Sequence, residues 1–212
     1  MKTIQEIISE YTKNLNSLKN NKMTPFEIVI NEEWNKIDNN IEIIYCGDNP
    51  GITEKNKKKY FVGAAGIALN LFIKVNNKRL GINNGNYAFF NKTPCFSNKT
   101  KQITKSKDSN KVVYDSIGLT IDCLFEISQI KKIPIIIFGI DESSYIVKTF
   151  KEKLLSNKKY CDFKNNLTFL NHPSHNSLFA VFGEFLISNF KDNDEIEIKY
   201  SDLIDKTKKN WQ

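Results

Sequence analysis

Histidine occurs only twice in this 212-residue chain, and both copies, His172 and His175, stand in one turn, "NHPSHN" (171–176). Cysteine is also sparse. Cys46, Cys95, Cys123 and Cys161 are widely spaced and form no CxxC pair. Zinc ribbons and iron–sulfur sites usually show close pairs, so no structural metal, cluster or cofactor is expected. Cys46 and Cys123 lie in apolar runs and read as buried fillers. No apolar run approaches the roughly 20 residues of a membrane span. The N-terminal "MKTIQEIISEYTKNL" is polar and amphipathic, without the apolar centre of a signal peptide, so a cytoplasmic protein is expected. Arginine is nearly absent: the +7 formal charge is a lysine excess.

What is present suffices for a core. Hydrophobic residues make up 40% of the chain and aromatics 12%, so neither disulfides nor a metal is needed to hold it. The length fits one domain over 1–212, and a monomer is expected. Residues 1–40 form a helical lead-in, 41–190 the core and 191–212 a C-terminal extension. Residues 2–19 repeat apolar side chains at helical spacing (Ile4, Ile7, Ile8, Tyr11). From residue 41 strands and helices alternate. The strands are "IEIIYC" (41–46), "NYAFFN" (86–91), "IPIIIFG" (133–139) and "LTFLN" (167–171). The helices are 64–75, 110–130, 143–155 with Ser143 as N-cap, and 178–190. That order predicts an α/β fold of three layers, α/β/α, around a four-stranded, mainly parallel sheet. Strands without apolar–polar alternation fit burial on both faces. Ligands in such sheets bind beyond the C-terminal ends of the strands. "GDNPG", "FNKTPC" and "NHPSHN" therefore share one rim.

Each rim segment has a plain reading and a functional one. "CGDNPGI" (46–52) is a strand followed by a Gly/Pro turn; it is neither a Walker A loop nor GxGxxG. Asp48 and Asn49 are its polar groups. "YFVGAAGIAL" (60–69) sets Phe61 before glycines that allow close backbone approach, though a Phe is usually a core residue. Asn91 closes a strand with an amide that either caps a turn or reads a base edge, since it offers a donor and an acceptor side by side. "NHPSHN" could hold a metal, present Ser174 as a nucleophile, or be a surface turn. No companion ligand cluster and no GxSxG elbow accompany it.

Taken in order, these segments resemble the uracil-DNA glycosylase superfamily over residues 41–190. "GDNPG" is similar to the GxNPG form of the mismatch-specific and single-strand-selective branches. "YFVGAAGIALN" looks like the corresponding segment of the iron–sulfur branch, and "HPSH" is similar to the family's HPS turn. The resemblance implies that Asn49 positions the attacking water and that Asp48 matches an acidic position important for activity. It implies that Gly47 and Phe61 bind a flipped base, Phe61 by stacking on it, that Asn91 reads the base edge, and that His172 donates to uracil O2. The clustered cysteines of the iron–sulfur branch are missing, so no cluster is implied.

The implied activity is a monofunctional DNA glycosylase acting on uracil or a related deaminated base, with DNA as partner and no membrane. Lysines following the first two rim motifs, Lys57, Lys58, Lys59, Lys99 and Lys101, would meet phosphates. Ser174, His175 and Leu178 would meet DNA beyond the HPS turn, Leu178 or His175 as the wedge. The alternative is a nucleic-acid or nucleotide-binding module that keeps the fold without catalysis.

Overall fold

Ile43, Ile44, Tyr45 and Cys46 are all inaccessible to solvent, as the unbroken apolar run requires of a strand covered on both faces. This strand, β1 (Ile43–Gly47), lies inside a parallel sheet in the computed structural model, which describes residues 2–19, 26–63, 65, 66, 69, 70, 73, 86–97, 103, 107–170 and 172. β2 (Tyr87–Asn91) pairs with one edge of β1, with Gly47 opposite Asn91. β3 (Ile135–Phe138) pairs with the other edge, and β4 (Leu167–Leu170) pairs with β3. The order is β2-β1-β3-β4, and every pairing is parallel. The fold is thus α/β with helices flanking the sheet, a three-layer α/β/α arrangement.

The edge strands read differently from the central ones. In β2, Ala88 and Phe90 are buried while Tyr87 and Phe89 keep partial solvent contact; β3 is buried throughout. The helices are α1 (Ile4–Lys19), α2 (Ile52–Lys57), α3 (Lys107–Ile130), α4 (Tyr145–Ser156) and the single turn α5 (Tyr160–Phe163). α1 packs on α3, and α3 on α4. The Tyr11 hydroxyl and Thr120 Oγ1 share a buried hydrogen bond of 2.7 Å across the first seam.

Two departures from the sequence reading have local causes. α4 is capped at Ser144, not Ser143. Asp141 accepts the Ser143 N–H on its side chain and the Ser144 N–H on its carbonyl, which spends 143 on a turn and delays the helix. α2 is not among the helices expected from the sequence, because its six residues carry too few apolar side chains for a periodic signal. The lead-in also packs into the core. Trp34, in a 3₁₀ turn at Glu32–Lys36, stacks on Phe90 at 5.2 Å and donates its indole N–H to the Phe89 carbonyl, so it belongs to the same core as the sheet. Described residues 65, 66, 69, 70 and 73 are helical, as expected for 64–75. The expected helix 178–190 lies outside the described residues.

No helix among the described residues is long and apolar enough to cross a membrane. Nor do the described residues bring three or more His, Cys, Asp or Glu side chains together as a metal site.

Candidate functional site

The sheet order reverses beside β1, which sends β2 to one side and β3–β4 to the other. The loops after β1 and β2 meet above this point. Lys92 donates its backbone N–H to the Gly47 carbonyl at 2.8 Å, and Thr93 donates to the Asp48 carbonyl at 3.2 Å. Lys92 then turns inward. Its side chain is 0% exposed, and its ammonium contacts Asp48 Oδ1 (2.5 Å), the Phe138 carbonyl and the Gly139 carbonyl (2.9 Å). A lysine has three ammonium hydrogens, so three acceptors take up its donors. The cation thus ties the ends of β1, β2 and β3 together. Gly139 is required here: its φ is +80°, and a side chain would collide with the Asp48 carboxylate.

Asp48 is thereby directed at the buried lysine, and it does not border the adjoining pocket. That pocket, of about 270 Å³, is bordered by Asn49, Phe61, Asn91 and His172, together with the N-terminal end of α2, Gly63 and Ala65. Four of the residues singled out in sequence are therefore neighbours in space. Asn91 is 5% exposed and borders the pocket, with its amide oxygen beside Gly47. Asn49 donates its amide to Ser97 Oγ and to the Pro50 carbonyl, each at 3.2 Å, which fixes its orientation at the pocket edge.

Phe61 forms one wall. Its φ is +55°, a conformation that a bulky L-residue adopts only when its surroundings impose it. The causes are visible. The Phe61 carbonyl lies where a side chain at Gly66 would stand, and its ring rests against Phe89, with centroids 5.1 Å apart. Gly47 lies under the same ring: a methyl group there would come within 2.5 Å of Phe61 Cζ and 2.8 Å of Asn91 Oδ1. Gly47 thus acts by leaving room for the stacking wall and the amide.

Two residues of the site went unnoticed in sequence. Glu54 is 9% exposed, borders the pocket, and accepts the N–H groups of Gly63 (2.8 Å) and Gly51 (3.1 Å). Its signal was "GITE", a flexible N-cap followed three residues later by Glu, the spacing at which a side chain reaches back to the cap N–H. Lys92 had a subtler signal, a single cation inside the apolar stretch "AFFNKTPCF".

The lysines of the expected DNA face divide. Lys58 and Lys59 sit at the C-terminal end of α2, away from its pocket end, and pair with Glu32 (3.3 Å) and Glu33 (2.7 Å). Hydrogen bonds from Lys59 and Lys36 hold the Glu33 carboxyl below the usual carboxylate range. Lys57 makes no ion pair among the described residues. Lys99, Lys101, Ser174, His175 and Leu178 lie outside the described residues. Burial pushes the Cys46 thiol up to about 12 and the Cys95 and Cys123 thiols upward as well, which fits the reading of Cys46 and Cys123 as fillers.

Fold and site define the class: a three-layer α/β protein with a small pocket at the carboxyl ends of its parallel strands, walled by an aromatic ring and lined by amides, a carboxylate and an imidazole-bearing residue. No family model matches the chain, and no curated protein is significantly similar to it.

Proposed function

We propose that this chain is a monofunctional DNA glycosylase that takes uracil, or a related deaminated base, out of DNA and hydrolyses its N-glycosidic bond. One observation carries the reading: Asn49, Phe61, Asn91 and His172, remote in sequence, border the same pocket. Its volume falls just under the about 300–1,000 Å³ of pockets for drug-sized ligands, which suits one base better than a whole nucleotide.

The chemistry follows from the side chains. Extrusion of a base costs a few kcal/mol of stacking and pairing. The Phe61 ring replaces stacking worth about 1–3 kcal/mol. Asn91 offers an acceptor to uracil N3–H and a donor to O4. Cytosine presents the reverse pattern and would leave a buried amide unpaired, at about 1–3 kcal/mol. As the glycosidic bond breaks, the sugar gains oxocarbenium character and the base leaves as an anion. A His172 N–H at O2 stabilises that charge, and one such donor is worth about 2.7–4 kcal/mol. Asn49 orients the water that attacks the sugar carbon. A lyase step would need a free amine; Lys92, next to Asn91, already has its ammonium directed at three acceptors, which supports simple hydrolysis.

The test is direct. Single- and double-stranded oligonucleotides carrying one uracil are incubated with the protein and then treated with alkali. Strand scission is expected, and His172→Ala and Asn91→Ala should each lower its rate about a hundredfold or more, as loss of a preorganised donor does. Absence of scission with uracil, hypoxanthine and xanthine alike would leave a binding module as the remaining reading.

A further inference from the structure

The Glu54 carboxylate is placed in an unusual way for a group that borders a pocket. One oxygen accepts the Gly63 N–H and the other the Gly51 N–H. Gly51 ends the loop that carries Asn49, and Gly63 follows Phe61 in the next loop. Both glycines are shaped around the carboxylate. A methyl group at Gly51 would stand 2.9 Å from Glu54 Oε2, and one at Gly63 would stand 2.8 Å from Oε1. The Gly63 carbonyl in turn accepts the Gly66 N–H at 2.9 Å, and Gly66 is the residue packed against the Phe61 carbonyl. A continuous path of contacts thus runs from Glu54 to the strained Phe61 backbone.

We infer that Glu54 is a positioning residue: its carboxylate clamps the Asn49 loop to the Phe61 loop and so holds the water-orienting amide and the aromatic wall at the border of one base-sized gap. A carboxylate is suited to this because it accepts on both oxygens and donates on neither, and charge-assisted bonds to backbone N–H groups are the stronger kind. Glutamine is not equivalent, since its NH₂ would face one of the two N–H groups. The consequence for cleavage rests on the glycosylase reading; the clamp itself does not.

Amide hydrogen exchange on the whole protein, read residue by residue by NMR, separates the two. In Glu54→Ala the Gly51 and Gly63 amides should exchange about ten- to a hundredfold faster, while amides of β1 and β3 keep their wild-type rates. In Glu54→Gln one acceptor remains, so one of the two amides should stay slow. On uracil-containing DNA, Glu54→Ala should raise KM and lower kcat together, because both the wall and the amide lose their place. Unchanged exchange at both glycines in the Ala variant would overturn the clamp. So would a Gln variant in which both amides stay slow while the acid limb of the pH–rate profile disappears, since Glu54 would then be acting as a base. A wild-type protein that cleaves no uracil would sink the glycosylase reading and leave the exchange result to decide the clamp alone.

Discussion

Gly47 shows how much of the pocket depends on a single missing atom. It ends β1 directly under the Phe61 ring and beside the Asn91 amide, and it faces Asn91 across the β1–β2 ladder. Gly47→Ala should leave the strand formed, because the backbone there is ordinary strand. The added methyl must instead displace the ring or the amide. The expected outcome is a loss of stability near 1–3 kcal/mol, the usual cost of overpacking, read by urea denaturation; on the proposed glycosylase reading, base excision falls by a much larger proportion. Retained excision would show that the Phe61 wall is not where the base sits. At this scale the sequence was partly legible. Asn49, Phe61, Asn91 and His172 could be found because strand ends and glycine turns mark the rim. The direction of Asp48 could not, because it is set by Lys92, 44 positions away, and neighbouring residues of a loop can point to opposite sides.

The elements were legible wherever burial is two-sided. β1 and β3 are continuous apolar runs and lie within a residue or two of their expected bounds, and α1 and α3 carry sustained helical periodicity. Short elements governed by capping were not, α2 and the Trp34 turn being the cases here. What joins the strands is less visible still. Lys92 holds the ends of β1, β2 and β3 through Asp48 and the carbonyls of Phe138 and Gly139. Replacing it with methionine preserves the apolar stem but strands the Asp48 charge and two carbonyls. Breaking a buried pair in this way typically costs about 3–5 kcal/mol. Lys92→Met should therefore lower the urea midpoint strongly, while Lys92→Met with Asp48→Leu should recover part of the loss. A single Lys92→Met variant as stable as wild type would mean that the three strand ends do not need the cation.

At the scale of the whole molecule, one core runs from α1 through the sheet to β4, and the lead-in contributes Ile4, Leu15 and Trp34 to it. The pocket rim therefore rests on a single packed body over the described residues; the chain as a whole carries a formal charge of +7. If the rim binds DNA, the charge must appear in the salt dependence. For duplex DNA, the logarithm of the affinity falls with the logarithm of salt by about 0.9 per phosphate neutralised. Lys58 and Lys59 enter this balance already paired with Glu32 and Glu33. Exposed pairs of that kind are worth only about 0.2–1 kcal/mol, so a phosphate can displace either carboxylate. Titrating uracil-containing duplex at a series of salt concentrations should give a steep wild-type slope. The triple variant Lys57→Gln, Lys58→Gln, Lys59→Gln should flatten it by about 0.9 for each of the three lysines that meets a phosphate. An unchanged slope would remove the end of α2 from the DNA face and leave its two ion pairs as internal fastenings to the Trp34 turn. A flat slope in the wild type would remove phosphate contact altogether, and with it the reason to read the lysine excess as a binding surface.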